Sequence, residues 1–205
     1  MYIVTPPFLL KAYYGPKVIW NIPSEGSKEL FLTFDDGPHP EVTPQVLDIL
    51  EKHHAKATFF CIGENVSKYP EIYTDIIQHG HAVGNHTYNH SNGFKTKDEE
   101  YISNVKRCAE YVNSSLFRPP YGKLKPSQIN MLSDNYKIVM WDTLSGDYDK
   151  NTPPEKCLQN VINNAKSGSI IVFHDSLKAK TNMLFALSGT LKHFSDLGYC
   201  FKNLS

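Results

Sequence analysis

Asp36, His86 and His90 offer one carboxylate and two imidazoles, the donor set of a single divalent metal, and Asp35 leaves a second carboxylate over. The histidines stand four apart in Gly84-Asn-His-Thr-Tyr-Asn-His-Ser-Asn-Gly93, a polar, glycine-flanked stretch that suits a loop or single turn aiming both rings one way. Three protein ligands leave a position open for water, the layout of a hydrolytic metal centre rather than of a closed structural site. An Asp-Asp-Gly alone is more often a turn, and an isolated pair of histidines at this spacing is a weak signal. Their joint presence points to a metal.

Adjacent side chains on a regular strand face opposite ways, so Asp35 and Asp36 can serve one site only if the chain bends there, and Gly37-Pro38 supplies a bend. Arg118-Pro119-Pro120-Tyr121-Gly122 places a guanidinium beside a stiffened backbone suited to presenting an amide donor. His174 follows a run of apolar residues and stands at the mouth of a buried strand, where an imidazole titrating near neutrality can donate a proton. Asp142 and Asp147 add carboxylates after another apolar run. His53, His54, His79, His81 and His193 fall on helices or helix ends, where solvated or capping roles are expected, and His39 lies near the site without an assigned role.

The elements that must position these groups are legible in the apolar pattern. Leu30–Phe34, Ala57–Cys61, Tyr136–Trp141 and Ser169–Phe173 read as strands buried on both faces. In all, about seven strands are expected, near residues 30–35, 57–62, 81–86, 116–119, 136–142, 169–174 and 199–204. Amphipathic segments lie between them. Thr43-Pro44 predicts a helix start with Thr43 as cap, Thr96…Glu99 and Thr152…Glu155 have capping-box spacing, and Gly80, Gly168 and Gly198 mark helix ends. This alternation implies a parallel β/α architecture closing wholly or partly into a barrel, with Asp35, Asp36, His86, Arg118, Asp142, Asp147 and His174 on one rim at the strands' carboxyl ends.

The 205 residues, 40% hydrophobic, suffice for a full core, and one domain over 1–205 is expected, since no low-complexity linker divides the chain. Lys+Arg and Asp+Glu balance at 21 each, which offers no basic field for nucleic acid. No apolar stretch is long enough for a membrane span. The start, interrupted by Pro6 and Pro7 and lacking a basic leader, reads as mature protein. Cys61, Cys108, Cys157 and Cys200 sit in expected strands or helices, so buried, reduced thiols and a cytoplasmic location are expected. A secreted or cell-envelope location follows instead if a leader or anchor has been removed.

Taken in order, Thr33-Phe-Asp-Asp-Gly37, His86-Thr-x-x-His90, Arg118-Pro-Pro-Tyr-Gly122, Trp141-Asp…Asp147-Tyr148 and the final apolar run ending at His174 resemble the motifs of the polysaccharide deacetylases with the NodB-homology domain, carbohydrate esterase family 4. The resemblance covers about 30–175. It implies a distorted (β/α)7 barrel and removal of N-acetyl groups from N-acetylglucosamine-type sugars in a poly- or oligosaccharide. It also implies a divalent metal, Zn2+ first with Co2+ or Ni2+ as alternatives, bound by Asp36, His86 and His90. Asp35 would be the base, held by Arg118, and His174 the acid, tuned by Asp147. Tyr121 would lend its N–H to the oxyanion, Val172 would line the acetyl-methyl pocket, and Pro119, Pro120 and Trp141 would border the substrate.

The chain departs from the family pattern where Leu144 and Tyr148 replace an aspartate and a tryptophan of the fourth motif, and where Lys125 replaces a frequent asparagine. These changes touch acid tuning and substrate shape rather than metal binding. An acetylated glycan is the expected partner of a monomeric enzyme. Rival readings are a metal-dependent amidase acting on a small cyclic or linear amide, an O-acetyl xylan esterase, and a carbohydrate-binding module with a decayed site. Intact metal, base and acid residues weigh against the last.

Overall fold

A computed structural model describes residues 2–24 and 26–204. In chain order the elements are α1 (Phe8–Tyr14), β1 (Val18–Ile19), β2 (Glu29–Asp35), α2 (Thr43–Lys52), β3 (Ala57–Cys61), α3 (Gly63–Lys68), α4 (Pro70–Gln78), β4 (Ala82–Asn85), α5 (Asp98–Ala109), β5 (Leu116–Phe117), a 3-10 turn (Pro120–Gly122), α6 (Pro126–Leu132), β6 (Lys137–Val139), β7 (Thr143–Leu144), α7 (Pro154–Ile162), β8 (Ile170–His174), α8 (Lys180–Asp196) and β9 (Cys200–Phe201). The strands pair in the order β1-β6-β5-β4-β3-β2-β8-β7, all parallel, with β9 added beside the start of β2. No helix among the described residues is long and apolar enough to cross a membrane.

The sheet curls into the expected distorted (β/α)7 barrel because the chain from β6 to β7 changes partner. Ile138 pairs with β5 and β1, the Asp142 N–H then reaches Ile170 O, and Leu144 pairs with Val172 on β8. Alternation along β2 separates two layers. Leu30, Leu32 and Phe34 pack outward against the helices, with Phe59, Cys61, Ile171 and Phe173. Phe31 points inward with Phe60, Leu116, Val139 and Ile170. Thr33 and Asp35 share Phe31's face and are met there by the fully buried Arg118. A polar cluster therefore sits on an apolar floor.

Several local expectations differ from the structure. α1, β1 and β7 were not anticipated, the strands being two residues each, too short to show a period. None of the three expected threonine caps forms. Thr43 lies inside the first turn of α2, which Val42 caps. Thr96 Oγ1 bonds Asn92 O, and the helix starts two residues later at Asp98. Pro153 and Pro154, with φ already helix-compatible, shift the start of α7 past Thr152. Gly80 and Gly198 follow the ends of α4 and α8 with positive φ, whereas Gly168, also at positive φ, lies in the turn before β8, because α7 already ends at Ile162. All four cysteines are free, but Cys200 is exposed rather than buried. His81 is also buried rather than solvated, and its Nδ1 accepts the Ala57 N–H, the first amide of β3.

Candidate active site

β2 ends at Asp35, and the next residue turns the chain, Asp36 having φ 81°. That bend lets the adjacent carboxylates converge. The loop is held from several sides. Asn65 Nδ2 donates to Asp36 O at 2.8 Å, Ile62 N–H to Gly37 O at 2.9 Å, and Gly37 N–H to Asp175 Oδ1 at 3.0 Å. Asp175 is fully buried and its second oxygen accepts the Thr43 hydroxyl at 2.6 Å. A Cβ on Gly37 would stand 2.0 Å from that oxygen, so only glycine fits between the two site aspartates and this brace. Asp175 was assigned no role from the sequence, and Thr43 was expected only as a helix cap. A glycine following two acids, with no positive φ of its own, was the available signal of a close neighbour.

His86 directly follows β4, and the segment to His90 is an irregular loop with positive φ at Thr87 and His90 rather than a helical turn. The Asn85 side chain closes this loop by accepting the Thr87 N–H at 2.9 Å. His86 Nε2 lies 3.8 Å and His90 Nε2 3.2 Å from Asp36 Oδ1, and the three ligand atoms all fall within 4.8 Å of one another.

The chemistry of this cluster fits a cation. His86 Nδ1 is 2.7 Å from Arg118 O, which can only accept, so Nδ1 carries the hydrogen and a neutral ring turns a bare Nε2 lone pair toward Asp36. Burial pulls the His86 imidazolium down to about 4, more than the opposing charge of Asp35 restores. Asp36 is itself held well below the usual carboxylate range. Burial opposes its charge, but the adjacent His90, then His174 and His86, outweigh it. Oδ1 of Asp36 is buried without a satisfactory hydrogen-bond donor. An anionic oxygen and an imidazole lone pair thus face each other, a costly arrangement unless a positive ion lies between them. Donors about 3.3 Å apart are what ligand bonds of about 2.0 Å give in a tetrahedral site.

Arg118 spans the barrel interior. Nη1 donates to Asp35 Oδ1 at 2.8 Å and Thr33 Oγ1 at 2.7 Å, Nη2 to Met140 O and Nε to Val139 O, while the guanidinium lies 4.1 Å from the Phe60 ring centre. Among the described residues no donor takes Asp35 Oδ2. His174 ends β8 in register with Asp35, so the two side chains leave neighbouring strands at one level. Asp147 takes the His174 Nδ1–H at 2.7 Å. Burial would lower this imidazolium, but Asp147, aided by Asp36 and Asp35, raises it to about 9.

Tyr121 sits at φ 61° in the turn after Pro119 and Pro120, both buried, and its hydroxyl lies 3.1 Å from His90 Nδ1. Among the described residues no acceptor takes the Tyr121 N–H. Val172 is buried two residues before His174 on the same strand face. Trp141 backs the turn, since a Cβ on Gly122 would meet its ring at 2.5 Å, and it packs partly into the barrel's apolar floor.

Asp142 is not on the rim. It accepts the Ser169 hydroxyl at 3.0 Å and its N–H reaches Ile170 O, which sets it level with the start of β8, roughly 13 Å below His174 at strand rise. It therefore does not replace the carboxylate lost at Leu144, a residue buried on β7. Tyr148 stands edge-on to His174 at 4.9 Å between ring centres. Lys125 bonds Thr96 O and Asp98, so this departure from the family pattern ties α6 to the start of α5.

Comparison with known proteins bears on the family and the fold. A family model described as polysaccharide deacetylase matches residues 23–136. A peptidoglycan-N-acetylglucosamine deacetylase of Bacillus cereus is 39% identical over 72% of the chain, the aligned part spanning 56% of that protein. A second one from the same organism is 34% identical over 92% of the chain and 91% of its own length. A crystal structure of a peptidoglycan N-acetylglucosamine deacetylase in complex with 4-naphthalen-1-yl-N-oxidanyl-benzamide superposes with a TM-score of 0.88 at 33% identity, covering 97% of this chain and 95% of that one.

Proposed function

The chain belongs to the polysaccharide deacetylase family, and from that premise we propose that it is a metal-dependent hydrolase removing N-acetyl groups from N-acetylglucosamine-type sugars of a glycan. The observation carrying this reading is the convergence of Asp36, His86 and His90 within 4.8 Å beside the registered pair Asp35 and His174. Zn2+, or Co2+ or Ni2+ in its place, held by those three residues would supply Lewis-acid polarisation of the acetyl carbonyl and a more acidic water.

The protein's own groups supply the rest. Asp35 takes the proton of the attacking water on Oδ2, while Arg118 fixes Oδ1. The unengaged Tyr121 N–H faces charge developing on the acetyl oxygen. His174 is committed to Asp147 through Nδ1 and so donates from Nε2 to the sugar nitrogen as the C–N bond breaks. Water is consumed, and acetate and a free amino sugar leave. Val172 borders the methyl group, and Pro119, Pro120 and Trp141 stiffen the wall behind Tyr121.

The test is acetate release from N-acetylglucosamine oligomers and peptidoglycan, with acetylated xylan and a small cyclic amide as comparisons, before and after chelation and metal add-back. Activity on the N-acetylated glycans that chelation abolishes and metal restores is expected, and Asp35→Asn should lose on the order of a hundredfold or more. Full activity after chelation, or in Asp35→Asn, overturns the reading.

A further inference from the structure

A cleft of about 450 Å3 lies beside the proposed acid and is lined by Tyr2, Tyr148, Asp149, Lys150, Asn151 and Lys178. None of these belongs to the metal or proton-transfer set. Tyr148 is the shared wall, its ring centre lying 4.9 Å from that of His174, 6.0 Å from that of Tyr2 and 5.6 Å from the Lys178 ammonium. The cleft and the imidazole thus share Tyr148, and the Lys178 ammonium lies on the same ring.

Its aromatic wall is braced. The Tyr2 hydroxyl accepts from Asn160 Nδ2 at 2.9 Å and Thr152 Oγ1 at 3.2 Å, and a Cβ on Gly146 would meet the Tyr2 ring at 2.2 Å. The strap bearing Tyr2 is fastened to β7 by Leu144 N–H donating to Val4 O at 2.9 Å.

Its charge is unbalanced. Lys150 and Lys178 are exposed, and among the described residues neither makes an ion pair. Asp149, the one acid lining the cleft, turns its Oδ1 to the Asn151 N–H at 3.0 Å, back into its own loop. Two ammonium groups therefore face the opening against one carboxylate already engaged.

We propose that this cleft is a subsite for a carboxylate-bearing sugar next to the residue that loses its acetyl group, with Lys150 and Lys178 meeting the carboxylate and Tyr148 bordering the ring. The proposal rests on the glycan-deacetylase reading above and adds to it the charge of the neighbouring sugar. The bland alternative is a pair of solvated surface lysines.

Three tetrasaccharides separate these ideas, with the zinc-loaded protein and acetate release as readout. One is neutral chitotetraose, one alternates N-acetylglucosamine with N-acetylmuramic acid, and the third is the same alternating glycan with its lactyl carboxyls methyl-esterified. The acid should be preferred over its ester in kcat/KM by about threefold to tenfold at low salt, the preference shrinking in about 0.5 M salt. In Lys150→Met/Lys178→Met, two changes at exposed positions, the ratio of acid to ester should fall to near one. Equal use of acid and ester by the unaltered protein, or an undiminished preference in the double variant, overturns the subsite. If chitotetraose is turned over while acid and ester are used equally, the subsite alone falls. If all three are inert, the deacetylase reading falls and takes the subsite with it.

Discussion

Asp147 grips His174 twice, one oxygen accepting the ring Nδ1–H at 2.7 Å and the other the backbone N–H at 2.8 Å. The ring is fixed in place and charge-matched by the same carboxylate. Against the downward pull of burial this raises the imidazolium to about 9, so His174 holds its proton through the neutral range and releases it as pH climbs through that value. Activity should fall along an alkaline limb near there. Asp147→Asn keeps the shape but removes the charge, and should move the limb down by about one unit or more. Stability has the same sign. With a folded value above the unfolded ~6.5, the pair contributes fully below ~6.5 and is lost as pH rises through about 9. A kcat/KM profile checks the first point, and a limb unmoved in Asp147→Asn refutes it.

Arg118 is the structural counterpart of that pair, a fully buried charge with four polar partners in the barrel interior. Removing it leaves Asp35 charged and unpaired and strips donors from Thr33, Val139 and Met140. Arg118→Met should therefore cost about 3–5 kcal/mol, a large part of the stability of an ordinary domain. Arg118→Lys should recover little, because one ammonium cannot reach all four acceptors. Urea denaturation measures both, and a loss below about 1 kcal/mol in Arg118→Met would contradict the assigned network.

If Asp36 and His86 face each other as unneutralised acceptors, bound metal should stabilise the fold apart from any activity. With Zn2+ at about a thousandfold its dissociation constant, the gain should be about 4 kcal/mol, seen as a raised Tm. In His90→Ala the shift should shrink, and in Asp36→Ala it should vanish. An equal zinc-induced rise in Asp36→Ala would place the metal elsewhere.

Strand positions were readable because β2, β3 and β8 are continuous apolar runs, whereas their two faces were not, since both are buried and only the placement of Arg118 shows which is inward. The candidate metal ligands Asp36, His86 and His90 were readable from residue type. Their convergence depends on positive φ at Asp36, Thr87 and His90, which no propensity for Asp, Thr or His announces strongly. Asp142 was misplaced for a topological reason. The chain from β6 to β7 runs up the barrel to pair with β8, so only its later residue, Asp147, reaches the rim. The expected caps failed where prolines or tertiary partners claimed the threonines, Thr43 being drawn to Asp175 and Thr152 to Tyr2.

Asp175 and Gly37 show most directly how the loop bearing Asp36 is held, and their coupling can be measured. Asp175→Ala leaves the Gly37 N–H and the Thr43 hydroxyl without their acceptor, at a cost of about 1–3 kcal/mol for each group left buried. Gly37→Ala puts a methyl group 2.0 Å from Asp175 Oδ2, so either the brace or the Asp36 loop must move. Removing the carboxylate removes that clash. The double variant should therefore be less destabilised than the sum of the single changes, by more than about 1 kcal/mol in a double-mutant cycle. Because Gly37 is bonded to Asp36, zinc affinity should weaken in Gly37→Ala and recover in part in the double variant. Strict additivity in stability would mean that the two residues do not share the space assigned to them.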